Sequence, residues 1–340
     1  VLVLTELKRF LMEAKMNVRF LIMLALLFES LVRVMAKETA PAAVVDQDVI
    51  AHDRLLAYDH SLPRMAELTP LSETTSYTAY NLQYDSAHDQ RVPAVYVLPK
   101  GGTPPYPAVV FLHGYGGNKL DVLDFATFAA PLGYAAISID AEYHGDRKRE
   151  GIDLYGPMPY TGRDGMIQTV IDLRRAVDYL ETVPQEIDAR RIGYGGGSMG
   201  GILGCVFTAV DKRIRTATLW VAGADWALMA KTSQISAGKE LRKTDLDLDL
   251  MGKILAPVDP MYWVDKISPR PVLFLNGDHD EIVPVETNKL LHSLAKEPFK
   301  VVWYNSGHGL PMEQAVPETL MWLETWLKPL PPEPAEGEGQ

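Results

Sequence analysis

A single cysteine, Cys205, among 340 residues excludes an intramolecular disulfide, so core packing alone must hold the fold in whatever compartment the chain occupies. Cys205 sits on an apolar stretch and reads as a buried helix thiol. Basic charge is scarce as well. Lys and Arg total 33 against 44 Asp and Glu, a formal net charge of -11, which leaves no basic face for a phosphate backbone and excludes nucleic acid as a partner. The apolar run Phe20–Phe28 is too short to span a bilayer as a helix, and Glu29 and Arg33 interrupt its continuation, so no stable membrane span is expected.

What is present, 47% apolar and 23% charged residues, is the make-up of a globular chain that buries a sizeable core. The length allows one large domain or two ordinary ones. Met16, Arg19, the run Phe20–Phe28 and Val34-Met35-Ala36 together read as a signal peptide cleaved near Ala36. Residues 1–36 are therefore expected to be a leader, and the protein to be exported to a periplasm or medium; without cleavage it is cytoplasmic. Residues 1–15 then read as sequence upstream of a start at Met16. The alternative is an amphipathic N-terminal helix that stays on the protein.

Residues 37–75 mix short apolar runs with Pro63 and Pro70 and read as a helical N-terminal segment without a motif. From 76 the period changes. Residues 77–84 and 92–98 read as two strands of a hairpin, and the chain then alternates short apolar strands with amphipathic helices, the longest expected over roughly Gly165 to Thr182, as far as 328. That alternation predicts an α/β fold, a mostly parallel central sheet flanked by helices. Residues 225–265 break the alternation and read as a small helical insertion placed to overhang the carboxyl edge of the sheet as a lid. The Pro, Glu and Gly of 329–340 predict a disordered tail.

Gly196-Gly197-Ser198-Met199-Gly200 satisfies G-x-S-x-G between a strand and a helix. Such a turn lifts the serine hydroxyl above the sheet at a helix N-terminus, and its glycines remove side chains that would collide with the neighbouring elements. Gly195, Gly197 and Gly200 also fit the G-x-G-x-x-G of dinucleotide sites. That reading wants an acidic residue ending the next strand, which instead ends in Val221-Ala222-Gly223, so no cofactor is expected. A serine hydroxyl needs a base, and the base an orienting acid. Late in the chain, Asp278 and Asp280 follow one strand and His308, in Ser306-Gly307-His308-Gly309, follows the next, the order Ser, Asp, His. The cluster Asp278, His279 and Asp280 has no further ligand at metal spacing, so no metal is expected.

On these four motifs, the elbow, the acid, the histidine and the earlier His113-Gly114-Tyr115-Gly116-Gly117, the stretch from Tyr77 to Leu327 resembles bacterial α/β-hydrolases of the dienelactone-hydrolase-like and acetyl-esterase-like branch. Dienelactone hydrolases proper carry cysteine where Ser198 stands. The resemblance implies Ser198 as nucleophile and His308 as base, and through G-x-x-D-x-x-V-P it selects Asp280 over Asp278, which becomes a turn residue. It implies an oxyanion hole from the backbone N–H groups of Met199 and Tyr115, with Gly114 or Gly116 as alternatives to the latter. His113 is then structural, and Asp140 to Arg147 is scaffold and pocket wall. The expected activity is hydrolysis of short-chain carboxylic esters, acetyl esters of sugars included, through an acyl-enzyme, on a small-molecule substrate. Two other readings stand beside it. A serine peptidase of this fold would usually add a large second domain, and a non-catalytic interaction protein would be expected to have lost a member of the triad. No oligomeric state is assigned by the sequence.

Overall fold

The computed structural model describes residues 49–328. The leader read over 1–36 and the tail at 329–340 lie outside the described residues. Nine strands form one sheet, β1 Glu67–Glu73, β2 Tyr77–Asp85, β3 Arg91–Pro99, β4 Tyr106–Leu112, β5 Ala135–Ile139, β6 Ile187–Gly197, β7 Ile214–Trp220, β8 Val272–Gly277 and β9 Phe299–Tyr304. Their spatial order is β1-β2-β3-β5-β4-β6-β7-β8-β9. The first three are antiparallel to their neighbours, and every pair from β5 to β9 is parallel. Strands buried on both faces need no alternation, and β5, with all five of its residues buried, shows why these segments read as plain apolar runs.

Helices cover both faces. Helix α1 is Val49–Leu55, α2 Val122–Ala129, α3 Pro159–Leu180 and α4 Met199–Val210. Leu173, Val177, Leu203 and Val206 from α3 and α4 build the larger core with Val110 and Ile137 of the sheet. On the other face α2 meets α9, Met312–Trp326, where Ala129 and Leu323 pack on Val109. Cys205 is wholly buried in α4, and burial pushes its thiol up.

Two sequence readings need correction. Residues 67–73, read as part of a helical segment, are the edge strand β1, paired antiparallel with β2. Its residues are almost all exposed, so no apolar period marks it, and Pro70 sits at a register shift on the edge, where a missing N–H is tolerated. Helix α3 begins at Pro159, six residues before the expected Gly165. Gly162 and Gly165 hide that start. A Cβ on the first would lie 2.4 Å from the Leu154 carbonyl oxygen, and on the second 2.7 Å from the Tyr143 ring, so close packing rather than loop conformation selects both glycines.

Between β7 and β8 the insertion folds as α5 Trp226–Thr232, α6 Ser236–Leu241 and α7 Leu248–Leu255, followed by three short 3-10 turns, and α8 Val285–Leu294 connects β8 to β9. Buried Asp259 ties its two ends together by accepting the N–H groups of Asp225, Trp226 and Met261 at 3.0, 2.9 and 3.1 Å. The Trp226 indole adds a bond to the Val258 carbonyl at 3.1 Å. Asp247 caps α7 through the N–H groups of Asp249 and Leu250, and Asp249 pairs with Lys231, so these two acids have partners within the insertion.

Candidate active site

Ser198 stands between β6 and α4 at φ 56° and ψ -120°, a conformation that non-glycine residues rarely adopt and that persists only when its surroundings fix it. Its N–H donates to the Trp220 carbonyl at 2.9 Å, and its carbonyl accepts the Ile202 N–H at 2.9 Å. The turn is also pressed against β4. A Cβ on Gly200 would lie 2.1 Å from the Leu112 carbonyl oxygen, so only glycine lets α4 begin here. The end of β4 is where the His113 to Gly117 loop starts, and the serine turn and that loop are therefore positioned by one contact.

Asp280 lies just after β8 and is buried. One carboxylate oxygen accepts the N–H groups of Ile282 and Val283 at 2.8 and 3.0 Å, and the other lies 2.8 Å from His308 Nδ1. His308 Nε2 is 3.0 Å from Ser198 Oγ. With Nδ1 donating to the carboxylate, Nε2 is left as the acceptor facing the serine hydroxyl. Asp278 belongs to the same turn but faces outward, pairing with His279 at 2.5 Å and accepting the Ser306 N–H at 3.2 Å. The structure thus brings Ser198, His308 and Asp280 into one hydrogen-bonded line and leaves Asp278 outside it.

Met199 is the first residue of α4, so its N–H has no carbonyl within the helix to bond. Gly114 to Gly117 form a tight turn closed by the Gly117 N–H on the Gly114 carbonyl at 3.0 Å, with Gly116 at φ 81°. A Cβ on Gly114 would come within 3.8 Å of the Ser198 Cβ, which sets the start of this turn directly against the serine. The Tyr115 side chain clamps the loop from outside. Its hydroxyl donates to Asp153 at 2.6 Å, its ring stacks on Tyr155 at 4.8 Å, and its edge meets His144 at 5.5 Å. Burial pushes this hydroxyl's pKa up, so it stays protonated as a donor.

His113 braces the loop from beneath. Nδ1 donates to the Gly114 carbonyl at 2.8 Å while Nε2 accepts the Ala141 N–H at 3.1 Å, a pairing that only the neutral ring can make. Burial, the largest influence, lowers its pKa to about 4. An unfolded histidine takes its proton near 6.5, so the ring's share of stability is whole above that pH and is lost as pH falls through 4, a maximum of roughly 3 kcal/mol. NMR titration of the ring is expected to show a midpoint close to 4 and the Nδ1–H form above it; a midpoint above 6 would contradict the bracing role.

The loop after β5 is scaffold. Buried Asp140 accepts the Lys119 N–H and ammonium at 2.7 and 2.9 Å and the Asp146 N–H at 2.9 Å. Arg147 joins Glu142 to Asp172, the latter at 2.6 Å, and Asp172 also takes the Ser86 hydroxyl at 2.6 Å. Paired this fully, the buried charges are compensated. The other half of the expectation for Asp140 to Arg147 is corrected, because the cavities at Ser198 are walled by other residues. Two cavities meet there. One, about 70 Å³, lies under the insertion between Ile202, Trp226, Met229, Met251 and Val283. The other, about 510 Å³, runs between α2 and α9 past His308, with Phe125, Phe128, Val316 and Leu320 in its walls. These wall residues carry no local motif. Only the Met and Trp content of the insertion hinted at the first.

Taken together, a serine held in strained backbone at the carboxyl edge of a mostly parallel sheet, with a histidine and acid from later strand ends, define a serine hydrolase of the α/β-hydrolase fold. The chain belongs to the acetyl xylan esterase (AXE1) family, whose model matches residues 52–222. The prolyl oligopeptidase family model matches residues 163–329. Bacillus subtilis (strain 168) YtaP, a protein named as a hydrolase, is 26% identical over 300 residues, covering 78% of this chain and 93% of its own. YitV of the same organism, named as an esterase, is 28% identical over 244 residues, covering 65% and 89%. The solved acetyl xylan esterase from Paenibacillus sp. R4 superposes with a TM-score of 0.72 at 22% identity, over 86% of this chain and 98% of that one, a likeness of fold. The protein is a carboxylester hydrolase. Among the described residues no helix is long and apolar enough to cross a membrane.

Proposed function

We propose that the protein hydrolyses short-chain carboxylic esters of the acetyl type by acyl transfer through Ser198. His308 takes the serine proton as the hydroxyl attacks the carbonyl carbon, and Asp280 holds the ring in the tautomer that can do so. The carbonyl oxygen becomes an oxyanion facing the N–H groups of Met199 and Tyr115. His308 then protonates the leaving alcohol, and a water activated by the same ring releases the acid. The observation that carries this reading is the unbroken line from the Asp280 carboxylate through His308 to Ser198 Oγ, at 2.8 and 3.0 Å.

The acyl length follows from the cavity under the insertion, which at about 70 Å³ leaves room for a few carbons. On p-nitrophenyl esters, kcat/KM is expected to be highest for acetate to butyrate and to fall by at least about ten-fold by octanoate, each misplaced methylene counting for roughly 1 kcal/mol or more. A maximum at octanoate or longer would refute the acetyl-type assignment. The prolyl oligopeptidase match over residues 163–329 favours a second reading, a peptidase. It requires turnover of acyl p-nitroanilides comparable to that of the matching esters, and we expect esters to be preferred by about 1,000-fold or more, or roughly 4 kcal/mol of barrier.

A further inference from the structure

The larger cavity is more than an acetyl group needs, and its position relative to His308 says which half of the ester it receives. A leaving alcohol must lie beside the ring that protonates it, so it occupies the space on the His308 side of Ser198. His308, Gly309 and Leu310 all line the cavity between α2 and α9, whereas no residue of the His308 loop lines the small cavity under the insertion. The acyl group is thereby directed to the small cavity and the alcohol to the large one.

The chemistry of that large cavity is apolar. Phe125 and Phe128 from α2 face Val316 and Leu320 from α9, with Trp220 at the end of β7 between them. The polar groups in its wall are mostly occupied already. Thr319 accepts the Trp220 indole N–H at 3.1 Å, and Thr218 bonds the Tyr194 carbonyl at 3.4 Å. The carboxylates of Asp121 and Asp124 remain, both from the start of α2 and the first of them already held by a backbone N–H of Asn118, so acceptors for hydroxyls lie at one end of a wall that is otherwise apolar. At the mouth, Phe128 and Met312 leave large apolar side chains exposed on facing helices, 48% and 52% respectively, as the entrance to an apolar cleft would.

We infer that the ester's alcohol half is an apolar one, an aryl or alkyl alcohol of several carbons, and that the groove between α2 and α9 selects it over a sugar. This inference rests on the assignment of Ser198 and His308 above. Its test compares three acetates with alkyl leaving groups, 2-phenylethyl acetate, methyl acetate and a methyl xyloside triacetate, in the full-length protein. Sugar hydroxyls are the better leaving groups, so chemistry alone would favour the xyloside. We expect kcat/KM for 2-phenylethyl acetate to exceed both others by at least about ten-fold, and Leu320→Trp, which fills the groove, to lower the ratio of phenylethyl to methyl acetate by about ten-fold. Met312→Trp, at the exposed mouth where folding is not at stake, is expected to move the same ratio in the same direction. A xyloside hydrolysed as well as the phenylethyl ester, or a ratio that neither variant moves, would overturn the inference while leaving the mechanism standing. Retention of all three activities in Ser198→Ala would instead overturn the mechanism on which it rests.

Discussion

Ser198→Ala is expected to lower kcat on p-nitrophenyl acetate by about 10⁴ to 10⁶-fold with the fold intact, the range set by removing a nucleophile whose partners act only through it. Alanine keeps the backbone of the turn, and the bonds from the Ser198 N–H to Trp220 and from Ile202 N–H back to its carbonyl do not involve the hydroxyl. Substrate binding and the two N–H donors survive, which leaves the small residual rate such variants show over water. Relief of the unfavourable φ is not expected, since alanine meets the same steric limits as serine there. Steady-state rates and near-ultraviolet circular dichroism decide the matter. A variant that keeps more than about a tenth of the activity, or one that loses its tertiary signal, would remove Ser198 from the chemistry or leave stability as the cause.

Asp280→Asn is expected to lower kcat by about 10³ to 10⁴-fold with KM little changed, and the reason lies in what asparagine can accept. The carboxylate now receives N–H groups on both oxygens, Ile282 and Val283 on one and His308 on the other. An asparagine has one accepting oxygen, and the two backbone donors claim it. Its NH₂ then faces His308 Nδ1 and forces that nitrogen to accept, so Nε2 carries the proton and cannot take another from Ser198. The same variant at Asp278, exposed and paired with His279, is expected to change kcat less than two-fold, about 0.4 kcal/mol. Equal losses at the two positions would show that the turn, rather than the line to His308, matters.

The parts of this molecule that were legible in its sequence are those whose cause is local. A serine between glycines, an acid and a histidine just after apolar runs, and the largely apolar strands β4 and β5 all announce themselves within a few residues. The mostly parallel sense of the sheet follows from their alternation with helices. Strand β1 was not legible, because an exposed edge strand buries neither face and so writes no period, and the start of α3 was masked by two glycines whose reason is Leu154 and Tyr143, apart from them in sequence and pressed against them in the fold. The walls of the two cavities were least legible of all. Phe125, Phe128, Val316 and Leu320 read as ordinary helix apolar residues, and nothing in their spacing says that they leave a space between α2 and α9 instead of closing it. The bracing of the His113 to Gly117 loop by Tyr115, Asp153 and Tyr155 has the same origin, since it joins two segments that only the folded chain brings together.

The lone thiol gives this enzyme a built-in clock. Cys205 lies, wholly shielded, in the helix that begins directly after Ser198. A thiol reagent can reach it only after α4 has lost its packing against the sheet or against the end of the insertion, whose Asp259 and Asp265 act on the thiol. The rate of its labelling therefore reports opening around α4, and at high reagent concentration it becomes the rate of that opening itself. A substrate or inhibitor that seats itself at Ser198 slows the clock in proportion to its occupancy, so that binding can be timed without a chromophore and without turnover.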